Sequence, residues 1–376
     1  MIPLAEPNLT GNESRYLQEC IATNFVSSVG PFVTRFEEEF ARTVGAAHAV
    51  ATANGTSAIH TALIIAGVKP GDEVWVADFT FVASANPIRY LGAIPVLVDS
   101  EPRTWNMDPE LIVEELDRRA RAGRRLPRVV LAVHILGFPA ELVSIAEACE
   151  RHGVCLVEDA AESLGATYAT GPFAGRHVGT IGRMGCFSFN GNKIITTGGG
   201  GMLVTDDGQL ARRAKHLTTQ ARLPGLAYLH DEVGYNYRLT NLQAALGVAQ
   251  LERLPEFTRR KREIAAAYTA RLDGLPSLTC PPRPASSLPT YWLYSVLLDG
   301  GWERVSRPLE HAGIISRPLW TPLHTLEPYR EYALLGSGEV AARLAASGLS
   351  LPCSTNLTSD QQEQVVASVT EILTRS

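Results

Sequence analysis

Ala49-Val50-Ala51-Thr52-Ala53-Asn54-Gly55-Thr56-Ser57-Ala58-Ile59-His60-Thr61-Ala62-Leu63-Ile64-Ile65-Ala66-Gly67 holds a strand, a turn and a helix in one stretch. The run 49–53 is β-compatible. Asn54-Gly55-Thr56-Ser57 supplies the residue types that turn a chain and cap a helix, and Ala58, Ile59, Ala62, Leu63 and Ala66 then recur at helical spacing until Gly67.

The same rhythm continues outward from it. Glu73–Val76 is followed by a predicted helix from about Phe81 to Tyr90, Ile94–Val98 by Pro109–Arg119, and Val129–Val133 by Ala140–His152, while Val154–Val157 leads into a glycine-punctuated loop. Strands that are apolar throughout and alternate with helices predict an α/β fold with a mostly parallel central sheet covered by helices on both faces.

Beyond Gly185–Phe189 and Met202–Val204 the rhythm changes. Leu239–Leu254 and Thr258–Leu272 read as long helices parted near Pro255. A strand at Tyr291–Leu298, a helix at Trp302–Ala312, a proline-rich stretch Ser316–Pro328 and a last helix Ser359–Thr374 then suit a smaller α+β C-terminal domain. The expected division is a large domain over 1–255 and a linking helix with the small domain over 256–376, in keeping with a chain of 376 residues.

Composition narrows the function. The net charge is −5, and the one arginine-rich stretch, Arg118 to Arg125, falls at a predicted helix end, so neither nucleic acid nor an anionic membrane is an expected partner. Six cysteines are scattered without a C-x-x-C pair, which predicts reduced thiols and no metal site. The N-terminus has no basic region followed by an apolar one, and no apolar run approaches the ~20 residues of a membrane span, so a cytoplasmic location is expected.

Two segments carry chemistry. Val154-Cys155-Leu156-Val157-Glu158-Asp159-Ala160-Ala161-Glu162 delivers carboxylates at the C-terminal end of a strand, where open α/β sheets bind ligands. On its own, a Glu-Asp pair there is more often a turn cap. Gly185-Cys186-Phe187-Ser188-Phe189-Asn190-Gly191-Asn192-Lys193-Ile194-Ile195-Thr196-Thr197 then places a single lysine in a nearly uncharged loop before Gly198-Gly199-Gly200-Gly201. Four glycines let backbone come close to a flat or phosphorylated ligand.

Pyridoxal 5′-phosphate needs these parts together: a lysine that holds it covalently, a carboxylate at the pyridine nitrogen, and donors around the phosphate. Lys193 is the candidate nucleophile and base, and Asp159 would keep the ring nitrogen protonated. Thr56 and Ser57 at a helix start, with the Ser188 hydroxyl, suit the phosphate. Phe81 could cover the ring face.

At this point Glu158-Asp159-Ala160-Ala161-Glu162-Ser163-Leu164-Gly165, Ser188–Lys193 and Gly234-Tyr235-Asn236-Tyr237-Arg238-Leu239-Thr240-Asn241-Leu242-Gln243 resemble the DegT/DnrJ/EryC1/StrS sugar aminotransferases, which are fold type I pyridoxal-phosphate enzymes. The likeness runs from Pro3-Leu4-Ala5-Glu6-Pro7 to Pro322-Leu323-His324. It implies the same roles for Lys193, Asp159, Thr56, Ser57, Ser188 and Phe81. It also implies a homodimer whose Asn236 reaches the partner's cofactor phosphate. Glu162 stands where the family commonly has Gln or His near the cofactor's 3′-oxygen.

Within the family, Asn24–Gly30, Asn190-Gly191-Asn192 and Ser316–Trp320 look most like enzymes that aminate C4 of UDP-linked 4-keto-6-deoxy-N-acetylhexosamines, with L-glutamate as donor. Arg238 and Arg317 are candidates for substrate anions, and Tyr235 and His324 for the sugar site. A family dehydratase would carry histidine in place of Lys193, and a nicotinamide oxidoreductase would need G-x-G-x-x-G after the first strand. A dTDP- or GDP-linked sugar, amination at C3, or a non-catalytic sugar-nucleotide regulator are the alternatives.

Overall fold

The computed structural model describes residues 1–225 and 227–374. Its strands are β1 (His48–Thr52), β2 (Glu73–Ala77), β3 (Ile94–Val98), β4 (Val129–Val133), β5 (Cys155–Asp159), β6 (Thr167–Tyr168), β7 (Met184–Ser188), β8 (Gly201–Thr205), β9 (Leu278–Thr279), β10 (Ser287–Leu288), β11 (Tyr294–Leu298), β12 (Arg317–Pro318), β13 (Leu334–Leu335) and β14 (Gly348–Leu351). Eight form the main sheet, in the order β1-β8-β7-β5-β4-β2-β3-β13. The pairs from β13 through β3, β2, β4 and β5 to β7 are parallel, and only β8 runs antiparallel to both neighbours, β7 and β1. The expected fold type I α/β architecture is the one observed.

The helices are α1 (Glu13–Ala22), α2 (Pro31–Val44), α3 (Gly55–Ile65), α4 (Asn86–Tyr90), α5 (Pro109–Arg121), α6 (Val143–His152), α7 (Gly208–Thr218), α8 (Asn241–Glu252), α9 (Leu254–Leu272), α10 (Glu303–His311), α11 (Glu339–Ser347) and α12 (Ser359–Thr374). Three of them show how the sequence starts or packs a helix. Asp108 caps α5, accepting from Glu110 N at 2.8 Å, with Pro109 in the first turn where no N–H is needed. Thr240 and Gln243 form a capping box on α8. Phe32, Phe36 and Phe40 give α2 a buried stripe, on which Phe36 and Phe40 meet Phe189 beyond β7.

One predicted helix shortens, and three helices lie where none is expected. The helix expected from Phe81 shortens to Asn86–Tyr90, because residues 82–85 run as turns before Pro87 starts the helix. No helix is assigned to 13–44 or 208–218 by sequence, yet α1, α2 and α7 lie there. The arginines of 118–125 lie at the end of α5 and in the loop after it, where Arg118 and Arg119 pair with Glu115, and Arg125 with Asp72.

The C-terminal residues build a four-stranded antiparallel sheet, β12-β14-β11-β9, with α10, α11 and α12 around it. They also cross back: β13 lies on the edge of the main sheet beside β3, and β10 pairs with β6. The first residues join this part, Ile2 bridging to Ile314 and Leu4 O accepting from Cys353 N. No described helix is long and apolar enough to cross a membrane.

Candidate active site

Asp159 is the last residue of β5, in register with Val133 of β4 and Cys186 of β7. The other parallel strands end beside it, so side chains from several loops face one cavity of about 330 Å³. Thr52, Gly201 and Ser188 lie side by side across β1, β8 and β7, which brings the start of α3 against Ser188. A Cβ on Gly55 would sit 2.9 Å from Ser188 Cβ, and one on Gly201 would sit 2.5 Å from the Asn54 carbonyl. The glycine at 201 is therefore required by the chain's own backbone, whereas Gly199 and Gly200 do line the cavity.

Asp159 is buried, and its hydrogen bonds come from neutral donors: Ser84 Oγ to Oδ2 at 2.7 Å and Ala161 N to Oδ1 at 3.1 Å. Burial pushes its carboxyl above the usual aspartate range, against the lowering effect of the Ser84 bond. Glu158, on the opposite face of the same strand, has a different task. It accepts from the Gly179, Ile181 and Gly182 amides at 2.6–2.7 Å and from His134 Nε2 at 2.8 Å. Because His134 Nδ1 accepts from Ala140 N, the proton on that ring is on Nε2. Burial works against a charged Glu158, but these donors more than offset it and hold the carboxyl below its ordinary value.

Lys193 hangs from the loop after β7, its Nζ 3.3 Å from Glu162 Oε1 and 3.9 Å from the centre of the Trp292 ring. Glu162 Oε2 accepts from Leu136 N at 2.9 Å, and burial pushes this carboxyl up, with Lys193 opposing. Thr56, Phe81, Ser188 and Arg317 line the same cavity. The Phe81 ring is 53% exposed in the single chain.

Five expected residues lie outside that wall. Ser57 is buried in the first turn of α3, where its N–H donates to Asn54 Oδ1. Tyr235 stacks on Tyr237 and meets His60 edge-on, while Asn236 is exposed. Arg238 keeps a buried Nε without a hydrogen-bond partner among the described residues. His324 is tied to Asp78, Nδ1 to Oδ2 at 2.6 Å, at the end of β2. Sequence reasoning missed Ser84, Trp292 and Trp320. Only the fold brings them to the cavity, and a serine or tryptophan distant in the chain gives no spacing signal.

The donor set fits pyridoxal 5′-phosphate. Buried Asp159 has no cationic hydrogen-bond donor among the described residues, and the Lys193 amine and a helix start with hydroxyls line the same cavity. Such a site at the carboxyl ends of this sheet defines a pyridoxal-phosphate enzyme of fold type I. The sequence profile of the DegT/DnrJ/EryC1/StrS aminotransferase family matches residues 7–370, and the chain belongs to that family.

EpsN of Bacillus subtilis (strain 168), provisionally named a pyridoxal phosphate-dependent aminotransferase, is 43% identical over 371 residues, covering 97% of this chain and 94% of its own. A GDP-perosamine synthase of Caulobacter vibrioides (strain ATCC 19089 / CIP 103742 / CB 15) is 39% identical, covering 99% of this chain and 98% of its own. The crystal structure of the aminotransferase TlmJ from Streptoalloteichus hindustanus superposes with a TM-score of 0.90 at 33% identity, covering 100% of this chain and 99% of TlmJ. The protein is a pyridoxal-phosphate-dependent sugar aminotransferase.

Proposed function

We propose that the chain moves an amino group from L-glutamate to C4 of a UDP-linked 4-keto-6-deoxy-N-acetylhexosamine. The observation that carries the transaminase chemistry is Lys193 Nζ held beside Glu162 in the cavity that Asp159 also lines. The wording of Asn24–Gly30, Asn190–Asn192 and Ser316–Trp320 supports the substrate class. A second reading, a GDP-linked 4-keto-6-deoxy sugar, is favoured by the 39% identity to a GDP-perosamine synthase.

When bound, the cofactor supplies an electron-withdrawing ring that acidifies the carbon bearing the amine. Lys193 would hold it covalently and, once released, move the proton at that carbon. Asp159 would bind the ring N–H, its negative charge then matched by a cation. The α3 amides, Thr56, Ser57 and Ser188 would bind the phosphate. Phe81 would lie on the ring, Glu162 near its 3′-oxygen, and Asn236 of a second copy would complete the phosphate site. Arg317, at the cavity mouth, suits a carboxylate or diphosphate of the substrates. Arg238, Tyr235 and His324 are not among the residues that line this cavity, and their proposed part in binding substrate rests on the resemblance. The expected location is the cytoplasm.

The test is the absorbance of the protein with cofactor, before and after glutamate, beside Lys193→Ala. The wild type alone should show the band of lysine-bound cofactor and lose it to glutamate, with ping-pong kinetics once an acceptor is added. UDP-, GDP- and dTDP-linked 4-keto-6-deoxy sugars are then compared by kcat/KM. A Lys193→Ala protein that keeps the band would remove Lys193 from its role, and a preference for the GDP sugar would replace the first substrate with the second.

A further inference from the structure

We infer that Trp292 is a positioning residue for Lys193, seating the amine when it is not joined to the cofactor. The inference rests on the reading of Lys193 as the covalent anchor.

Trp292 reaches the cavity from the C-terminal part of the chain, just before β11, and touches the lysine loop twice. Its Nε1 donates to Asn192 O at 2.6 Å, fixing the peptide that precedes Lys193, and its ring face lies 3.9 Å from Lys193 Nζ. The amine is thus held between a carboxylate, Glu162, and a π face. The tryptophan itself is firmly placed: only 4% exposed, with its carbonyl accepting from buried Lys261 Nζ at 2.9 Å and from Cys353 Sγ at 3.4 Å. Lys261 Nζ, itself buried, divides its hydrogen bonds between this carbonyl and Cys353 Sγ at 3.5 Å, and burying a lysine amine is a costly way to hold an ordinary core residue. A free lysine side chain, by contrast, has the rotamer freedom of a long flexible stem to lose. An amine that must leave the cofactor and then serve the same carbon gains from a seat that limits where it goes.

The ring face and the indole N–H separate by substitution. Trp292→Phe keeps the face and loses the bond to Asn192, and Trp292→Leu loses both. In the cofactor-free protein, acylation of Lys193 by acetic anhydride, read by peptide mass, should be about 3-fold or more faster in the leucine variant and near wild type in the phenylalanine variant, the scale of a cation–π contact. In the glutamate half-reaction, the limiting rate should fall roughly 10-fold in the leucine variant and less in the phenylalanine variant, with half-saturation by glutamate unchanged.

Wild-type labelling and rate in Trp292→Leu, or a loss confined to half-saturation, overturns the inference. Should that variant not fold, Trp292→Phe decides alone: an unchanged limiting rate overturns it. A Lys193→Ala protein that keeps the lysine-bound band refutes the underlying reading instead, so the two failures are distinguishable.

Discussion

Among the described residues Asp159, at the end of β5, has a hydroxyl and an amide as its only hydrogen-bond donors, and burial pushes its carboxyl above the usual range. An acid whose folded pKa exceeds its unfolded value stabilises the fold only while protonated, and that contribution is lost as pH rises through the folded pKa. Without cofactor, ionised Asp159 is therefore a burden on the fold wherever the pH exceeds that raised pKa. Asparagine removes the charge and keeps the contacts, accepting from Ala161 N and donating to Ser84 Oγ, which can turn to Thr80. Cofactor-free Asp159→Asn should melt at or above the wild type at pH 8 and level with it near pH 4, while transamination falls roughly 100-fold or more. Differential scanning calorimetry across pH checks this. A variant that is less stable at pH 8 than at pH 4, relative to wild type, would contradict the burial argument.

At the scale of elements, the approach of β8 to the start of α3 sets the side of the cavity where the cofactor phosphate is proposed to bind. A methyl group on Gly201 would meet the Asn54 carbonyl carbon and oxygen at 2.5 Å and Gly55 N at 2.7 Å, and backbone cannot swing aside. Gly201→Ala should cost about 1–3 kcal/mol in urea unfolding and weaken cofactor binding, since the Asn54–Thr56 turn must shift. Gly191→Ala, with nothing within 4 Å and no strained φ, is the control and should leave both unchanged. Equal behaviour of the two would sink the argument. Elements like these were unequally legible. β3, β4 and α12 have the bounds that their apolar runs and periodicity predict, because each is long enough to carry a pattern. β9, β12 and β13 are two-residue strands whose existence depends on a partner far away in sequence. α2 carries its own signal, Phe32, Phe36 and Phe40 recurring every four residues, a period no expectation above uses. The residues at the ends of long strands, Asp159 and Ser188, could be found by the same logic. Trp292 could not, since its place beside Lys193 is a fact of tertiary packing alone.

For the whole molecule, the proposed dimer makes a quantitative demand. In one chain Phe81, Tyr90, Tyr228 and Val233 are more than half exposed, and Asn236 faces solvent in a segment whose neighbours, Tyr235 and Tyr237, pack on α3 through His60. An isologous dimer would give each site Lys193 from one copy and Asn236 from the other. Lys193→Ala and Asn236→Ala homodimers then each have two defective sites. Co-expressed with different tags and mixed at random, half of the dimers are hybrids, and each hybrid holds one intact site and one with both defects. The mixture should recover ~25% of wild-type activity, and hybrids purified by both tags ~50%. Sharing is essential to this result: were Asn236 to act within its own chain, each hybrid would hold one site lacking Lys193 and one lacking Asn236, and mixing would add nothing. The purified hybrid's specific activity against that of the two parents is the deciding number, because it reads where the two residues meet and not merely whether each matters.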